Sequence, residues 1–255
     1  MVRQCRALRT GCDREAGDGM MQPVTLAHEG AVLNGELFLP KGTGVHPGVL
    51  VMHNALGLGA QVREVAADLA ERGFAALATD MFGAEFGGDP ARAGAYFAAL
   101  QAQPDVLRSR VVAWHDRLAG LPDVDIDRTA AIGYCFGGFC VLELARSGAA
   151  VKAAVSFHGL LTTSLPATPG VIRGEVAAWC GGQDPFVPSG HIEGFRAEMA
   201  TAGASSQITV FASAAHSFTD RDAASLGRPG VAYDALADRV SWAGTLALLD
   251  SVLRA

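Results

Sequence analysis

The segment that decides the fold is TAAIGYCFGGFCVLELAR, residues 129 to 146. Its apolar start stops at Gly133, and an apolar helical pattern begins at Phe136. A strand that turns sharply into a helix is the geometry of a nucleophile elbow. Gly133 and Gly137 stand two positions either side of Cys135 and leave room for a strained backbone there. The alternative is a small buried hydrophobe in a glycine-rich turn.

The apex position also has an electrostatic consequence. Cys135 would lie at a helix N-terminus, where unpaired N–H groups and the helix dipole favour a thiolate or an oxyanion. An ordinary cysteine has a pKa near ~8.5, so a neighbouring base or imidazolium is needed to supply thiolate at neutral pH. The sequence must therefore provide a partner for this thiol elsewhere.

Segments on either side of this stretch repeat the pattern of an apolar strand followed by a helix. The predicted strands cover residues 22–28, 31–39, 48–52, 74–79, 130–133, 151–157, 175–180 and 208–211. The predicted helices cover residues 60–72, 91–100, 106–118, 136–146, 189–201 and 231–253. This order predicts an α/β fold with a mostly parallel central sheet and helices on both faces.

Composition excludes several classes of protein. Of the 255 residues, 50% are hydrophobic and 18% charged, so the chain is not of the disordered type. A net charge of −6 argues against nucleic-acid binding and against an anionic membrane surface. No apolar run approaches the ~18 residues that span a bilayer. The five cysteines form no C-x-x-C motif, which predicts no metal site, reduced thiols and a cytoplasmic protein.

The first twenty residues differ from the rest of the chain. They carry Arg3, Arg6, Arg9 and Arg14 but no apolar core, unlike a secretory signal. We expect residues 1–20 to be a disordered N-terminal extension, or the product of an upstream start codon. Residues 21–255 are then expected to form one α/β domain.

Polar residues at the predicted strand ends form a set in chain order. Cys135, Asp184 and His216 each follow a strand, and nucleophile, acid, histidine is the triad order of α/β-hydrolases. His216 can take the thiol proton and return it to a leaving group, while Asp184 fixes the imidazole tautomer. Backbone N–H groups of Phe136 and Ala55 are expected to form the oxyanion hole. In isolation, Asp184 is also typical of a turn and His216 of a core histidine.

Three motifs resemble the dienelactone hydrolase family. They are GYCFGG at residues 133–138, GGQDPFVP at 181–188 and HSF at 216–218, and the resemblance extends over roughly residues 23 to 253. It implies an α/β-hydrolase fold and a triad of Cys135, Asp184 and His216. It also implies that the protein cleaves esters or lactones without a metal or an organic cofactor. The side chains expected to line the substrate pocket are His53, Asn54, Phe82, Tyr134 and Phe186, and the protein is expected to be a monomer or a homodimer.

Two departures from the family pattern affect activation and substrate. The family carries a glutamate beside the thiol in the loop after the third strand, where this chain has Asn54, and an amide is not a base near pH 7. The family also binds its substrate carboxylate with two arginines, and neither position is a cation here. Glu85 and Asp220 lie nearby instead, which favours a neutral ester, lactone or thioester as substrate.

Two other functions compete with ester hydrolysis. One is acyl transfer from Cys135 to an acceptor other than water, or thioester cleavage at the same residue. The other is a non-catalytic α/β-hydrolase fold that binds a small molecule, for which Asn54 is the best support. No G-x-G-x-x-G motif follows the first parallel strand, which argues against a dinucleotide-binding enzyme.

Overall fold

A computed structural model describes residues 21–254, so the predicted extension at residues 1–20 lies outside the described residues. The strands are β1 Met21–His28, β2 Ala31–Phe38, β3 His46–Met52, β4 Ala75–Thr79, β5 Val124–Tyr134, β6 Ala153–Phe157, β7 Glu175–Gly181 and β8 Ser206–Phe211. The helices are α1 Ala60–Glu71, α2 Pro90–Gln101, α3 Pro104–Ala119, α4 Phe136–Arg146, α5 Ser189–Ala202 and α6 Ala235–Leu253. None of these helices is long and apolar enough to cross a membrane.

The strands form one sheet in the order β1-β2-β4-β3-β5-β6-β7-β8. The pairs β1/β2 and β2/β4 are antiparallel, and all the other pairs are parallel. The predicted mostly parallel sheet is therefore confirmed. Parallel strands share one carboxyl edge, so the ends of β3, β5, β7 and β8 open onto the same rim of the molecule.

Helices cover both faces of the sheet because the central strands are apolar on both sides. Along β3, Val49 and Val51 join the cluster packed with α1 and α6, whereas Leu50 and Met52 join the cluster packed with α3 and α4. Successive side chains of a strand point to opposite faces, so an unbroken apolar strand must be buried on both. The helices α4 and α5 pack together over β6 and β7 in a third cluster.

Two elements begin elsewhere than predicted. The strand β5 starts at Val124 instead of residue 130, because Val124 pairs with His46 before a register shift leads to the pairing of Thr129 with Gly48. The helix α6 starts at Ala235 instead of residue 231. The Asp234 side chain accepts hydrogen bonds from two N–H groups of its first turn, both at 3.0 Å, which fixes the start.

Candidate active site

The turn between β5 and α4 holds Cys135 in a strained conformation. Its φ is +52°, in the left-handed region that non-glycine residues rarely adopt. A Cβ on Gly133 would lie 2.1 Å from the Gly137 carbonyl oxygen, and one on Gly137 would lie 2.3 Å from the Met52 carbonyl oxygen. Both positions therefore require glycine for this turn to close, and the closed turn directs the thiol toward the rim of the sheet.

The three residues that the sequence places at separate strand ends meet at this rim. The His216 Nδ1–H donates to Asp184 Oδ2 at 2.8 Å, and His216 Nε2 lies 3.1 Å from Cys135 Sγ. The other oxygen of Asp184 accepts the Phe186 N–H at 2.8 Å, which fixes the orientation of the carboxylate. The imidazole thus lies between a thiol and a buried carboxylate, within hydrogen-bonding distance of both.

Opposing effects set the pKa of His216. Burial by itself lowers this pKa, but the hydrogen bonds with Asp184 and Cys135, and the negative charges of these groups, raise it to about 10. The imidazolium form is therefore favoured near neutral pH.

The backbone around His216 is held on both sides. The His216 N–H donates to the Gly230 carbonyl oxygen at 2.9 Å, and the Ala232 N–H donates to the His216 carbonyl oxygen at 3.0 Å. The next residue, Ser217, has a φ of +58°. Val231 forms an isolated β-bridge with His216, which is why the helix predicted from residue 231 cannot begin there.

The loop after β3 places a backbone N–H group, that of Ala55, near the rim. The Leu56 N–H donates to the Asn54 side-chain oxygen at 2.8 Å, and the Gly57 N–H donates to the Asn54 carbonyl oxygen at 3.3 Å. The N–H of Ala55, between them, donates to no acceptor in the part of the chain that the structure describes. Phe136 is the first residue of α4, whose first-turn N–H groups have no acceptor within the helix.

A cavity of about 400 Å³ opens above Cys135. Its walls are mainly apolar and come from the loops after β3, β6 and β7, from α2 and from the segment after His216; they include Leu56, Phe97, Leu160, Phe186 and Leu226. Beside Cys135 and His216, the charged side chains on these walls are Asp220 and Arg228. The cavity can therefore enclose a small, mostly apolar molecule with its reacting atom beside the thiol.

Two of the five predicted pocket residues, Asn54 and Phe186, line this cavity. His53, Phe82 and Tyr134 do not, and the prediction of pocket positions for them is wrong. Each has at most 4% of its surface exposed. Phe82 lies behind Phe136, with ring centroids 5.5 Å apart, and Tyr134 stacks on Phe157 at 4.7 Å.

His53 has a structural position. Its Nδ1–H donates to the Asn54 carbonyl oxygen at 2.5 Å, and its Nε2 accepts the Met81 N–H at 2.9 Å. Burial lowers the pKa of this imidazole and keeps it neutral. His53 therefore connects the ends of β3 and β4 beneath the site.

Sequence reasoning missed Arg228 as a pocket residue. Arg228 lies twelve residues beyond His216, in a segment that returns over the cavity, and no motif of the sequence marks it. Sequence reasoning also missed Gln61 and Thr219, which hydrogen-bond to each other at 3.2 Å beside the site. These residues are far apart in sequence, and no local motif indicates them.

A mostly parallel sheet flanked by helices, with a strained cysteine between β5 and α4 and a histidine after β8, defines a protein of the α/β-hydrolase class. Residues 33–253 match the dienelactone hydrolase family, and the chain belongs to that family. It is accordingly a dienelactone hydrolase-like enzyme, an ester or lactone hydrolase.

Proteins of known structure and sequence are similar over most of the chain. The solved structure named m3DLH is 37% identical with a TM-score of 0.85, and the match covers 93% of this chain and 100% of that one. The dienelactone hydrolase-like promiscuous phosphotriesterase P91 from metagenomic libraries is 34% identical with a TM-score of 0.84, over 92% of this chain and 99% of that one. A Bradyrhizobium protein named "Probable 2-oxo-3-(5-oxofuran-2-ylidene)propanoate lactonase" is 29% identical over 82% of this chain and 86% of its own length.

Proposed function

We propose that the enzyme hydrolyses small esters or lactones by acyl transfer to Cys135, with His216 as proton carrier and Asp184 as its orienting carboxylate. The observation that carries this proposal is the pair of contacts made by His216, at 2.8 Å to Asp184 and 3.1 Å to Cys135. The raised pKa of His216 supports a resting imidazolium paired with the sulfur of Cys135. Such a pair needs no carboxylate at position 54 to activate the thiol.

In the acylation step, Cys135 Sγ attacks the substrate carbonyl carbon and the carbonyl electron pair moves onto oxygen. The N–H groups of Phe136 and Ala55 donate to this oxyanion, and one such donor typically contributes about 3 kcal/mol. The bond to the leaving oxygen then breaks, and His216 Nε2 gives its proton to that oxygen. The products of this step are a thioester on Cys135 and a neutral imidazole.

Deacylation reverses the roles. His216 Nε2 takes a proton from water while the water oxygen attacks the thioester carbonyl carbon. The carbon–sulfur bond breaks, the carboxylic acid leaves, and thiolate and imidazolium are restored. The hydrogen bond to Asp184 keeps a proton on His216 Nδ1 throughout, so Nε2 is the nitrogen that exchanges protons.

The cavity supports a small neutral acyl group. Its walls are mostly apolar, and among the described residues they carry one carboxylate, Asp220, and one guanidinium, Arg228. A neutral ester, lactone or thioester would bring no further charge into this mainly apolar cavity. An anionic substrate would have to approach Arg228 and avoid Asp220.

Burst kinetics with p-nitrophenyl acetate test this proposal. We expect a burst of nitrophenolate equal to the enzyme concentration, an added acetyl mass on the intact protein, and loss of both in Cys135→Ala. Cys140→Ala is the matched control, because burial raises the pKa of the Cys140 thiol well above its ordinary value and keeps that thiol inert. Full activity in Cys135→Ala, or an acetyl group on another residue, would refute the mechanism.

Phosphotriester cleavage is a second candidate activity. It is favoured by the similarity to the promiscuous phosphotriesterase P91, at 34% identity over 92% of this chain. In this reaction Cys135 Sγ would attack phosphorus, the aryloxide would leave, and water would then release the phosphodiester from sulfur. Release of nitrophenolate from a nitrophenyl phosphotriester, lost in Cys135→Ala, is the expected result.

A further inference from the structure

A chain of hydrogen-bonded side chains connects the β3 loop with the segment that carries His216. The Asn54 Nδ2–H donates to Gln61 Oε1 at 3.2 Å. The Gln61 Nε2–H then donates to Thr219 Oγ1 at 3.2 Å and to the Thr219 carbonyl oxygen at 3.4 Å. Thr219 Oγ1 lies 2.8 Å from His158 Nε2. These contacts join residues separated by as many as 158 positions in the sequence.

The backbone fixes the direction of this chain. The Leu56 N–H can only donate, so the Asn54 atom that it contacts is the amide oxygen, and the amide nitrogen must face Gln61. At the other end, the Thr219 carbonyl can only accept, so the Gln61 nitrogen must face Thr219. Each amide therefore has one orientation that satisfies both of its neighbours.

At one end of this series of hydrogen bonds, Asn54 shapes the loop that carries the Ala55 N–H. The Asn54 side chain accepts the Leu56 N–H, and its carbonyl oxygen accepts the Gly57 N–H. Ala55 lies between these anchored groups. Its N–H can change position only if Asn54 does, and Asn54 is held from the other side by Gln61.

At the other end of this series of hydrogen bonds, Thr219 contacts His158, which packs against His216. Thr219 follows His216 by three residues and fixes the His158 ring. That ring packs edge-on against the His216 ring, with centroids 5.1 Å apart. His158 has a φ of +41°, a strained conformation that its neighbours must maintain.

The sheet does not connect these two ends directly. The strands β3 and β8 are separated by β5, β6 and β7, so no strand pairing sets the distance from the β3 loop to the β8 loop. Gln61 lies in the first turn of α1 and bonds to both. Among these hydrogen-bonded side chains, Gln61 is therefore the one that contacts both loops.

We propose that Gln61 is a positioning residue, which sets the separation between the Ala55 N–H and His216 through its bonds to Asn54 and Thr219. This inference rests on the proposed acyl transfer at Cys135. Asn54 then belongs to a set of hydrogen bonds that requires an amide at this position and cannot accept a carboxylate. In Asn54→Asp, an oxygen would face Gln61 Oε1, and rotation of Gln61 would only move the conflict to the Thr219 carbonyl oxygen.

The test is the burst assay on Gln61→Leu, with Arg63→Leu as the matched control. Arg63 lies on the same helix and donates two hydrogen bonds of 2.8 Å to Glu36 on the outer surface. A misplacement of about 1 Å costs on the order of 10²-fold in rate, so we expect the acylation and deacylation rate constants of Gln61→Leu to fall by about 10- to 100-fold. We expect KM within about twofold and an unchanged burst amplitude.

The burst amplitude separates positioning from folding. A variant that only loses stability lowers the number of active sites, and hence the amplitude, but leaves the rate constants unchanged. Wild-type rate constants in Gln61→Leu, or an equal loss in Arg63→Leu, would overturn the inference. So would a faster Asn54→Asp, since we expect that variant to be slower. The Cys135→Ala result is independent of these outcomes and decides the proposed function by itself.

Discussion

Replacing Asp184 by Asn tests the orientation of His216 most directly. In the wild type, Asp184 Oδ1 accepts the Phe186 N–H at 2.8 Å and Oδ2 accepts the His216 Nδ1–H at 2.8 Å. In Asp184→Asn, the Phe186 N–H still requires an oxygen, so the amide nitrogen must face His216. Its N–H then opposes the Nδ1–H, and the imidazole must move its proton to Nε2. That tautomer cannot accept the proton of Cys135.

The expected fall in kcat follows from the hydrogen bond and the imidazole tautomer that Asp184→Asn loses. A hydrogen bond to a charged group contributes about 1.5–3 kcal/mol, and the wrong tautomer adds a further penalty. The same exchange in a serine triad lowers kcat about 10⁴-fold. A cysteine is more easily ionised than a serine, so we expect kcat to fall on the order of 10²- to 10⁴-fold, or about 3–5 kcal/mol.

The assay is kcat and kcat/KM for p-nitrophenyl acetate between pH 5 and pH 11, with Asp220→Asn as the control. Asp220 also lines the cavity, but it accepts a hydrogen bond from the Asp222 N–H and not from His216. Wild-type kcat/KM, which reports the protonation state of the free enzyme, should fall as the pH rises through about 10, where His216 loses its proton, and this fall should occur at a lower pH in Asp184→Asn. Retention of kcat within threefold, or an equal loss in Asp220→Asn, would refute the reasoning.

The pKa of His216 also predicts how stability varies with pH. This pKa is raised from 6.5 to about 10, so protonated His216 contributes fully to the free energy of unfolding below about pH 6.5, and this contribution is lost as the pH rises through about 10. The difference in Tm between wild type and Asp184→Asn should therefore shrink over this range. Arg228→Ala should raise KM several-fold for esters with a carboxylate in the acyl chain, and leave KM for p-nitrophenyl acetate within about twofold, as judged by steady-state kinetics. Glu143 is 1% exposed and accepts hydrogen bonds from Arg108 and Arg146, so Glu143→Gln should lower the free energy of unfolding in urea by about 3–5 kcal/mol. Glu193→Gln, which breaks the exposed pair with Arg196, should cost less than about 1 kcal/mol, and an equal cost would contradict the argument.

Features that depend on local sequence could be predicted well. Apolar runs locate the central strands because a strand buried on both faces has no polar positions. Gly133 and Gly137 locate the turn at Cys135, since no other residue fits contacts of 2.1 and 2.3 Å. The starts of β5 and α6 were harder, because they depend on pairing with His46 and on the cap at Asp234.

The direction of side chains near the site could not be read from the sequence. His53 and Asn54 are adjacent, yet His53 is buried beneath the sheet end and Asn54 lines the cavity. Tyr134 directly precedes Cys135 but packs against Phe157 and does not line the cavity. Which side chain reaches the cavity depends on the strained turns and on neighbouring loops, and not on residue type.

The sequence by itself determined the order of strands and helices, the position of the turn at Cys135, and the family to which the chain belongs. Each of these depends on short continuous stretches of sequence, where steric exclusion and burial act locally. Only the tertiary structure decided that Gln61 bonds with Thr219 and that Arg228 lies over the cavity. Contacts between residues so far apart in the chain form only after the sheet has brought its loops to one rim, so no local pattern records them.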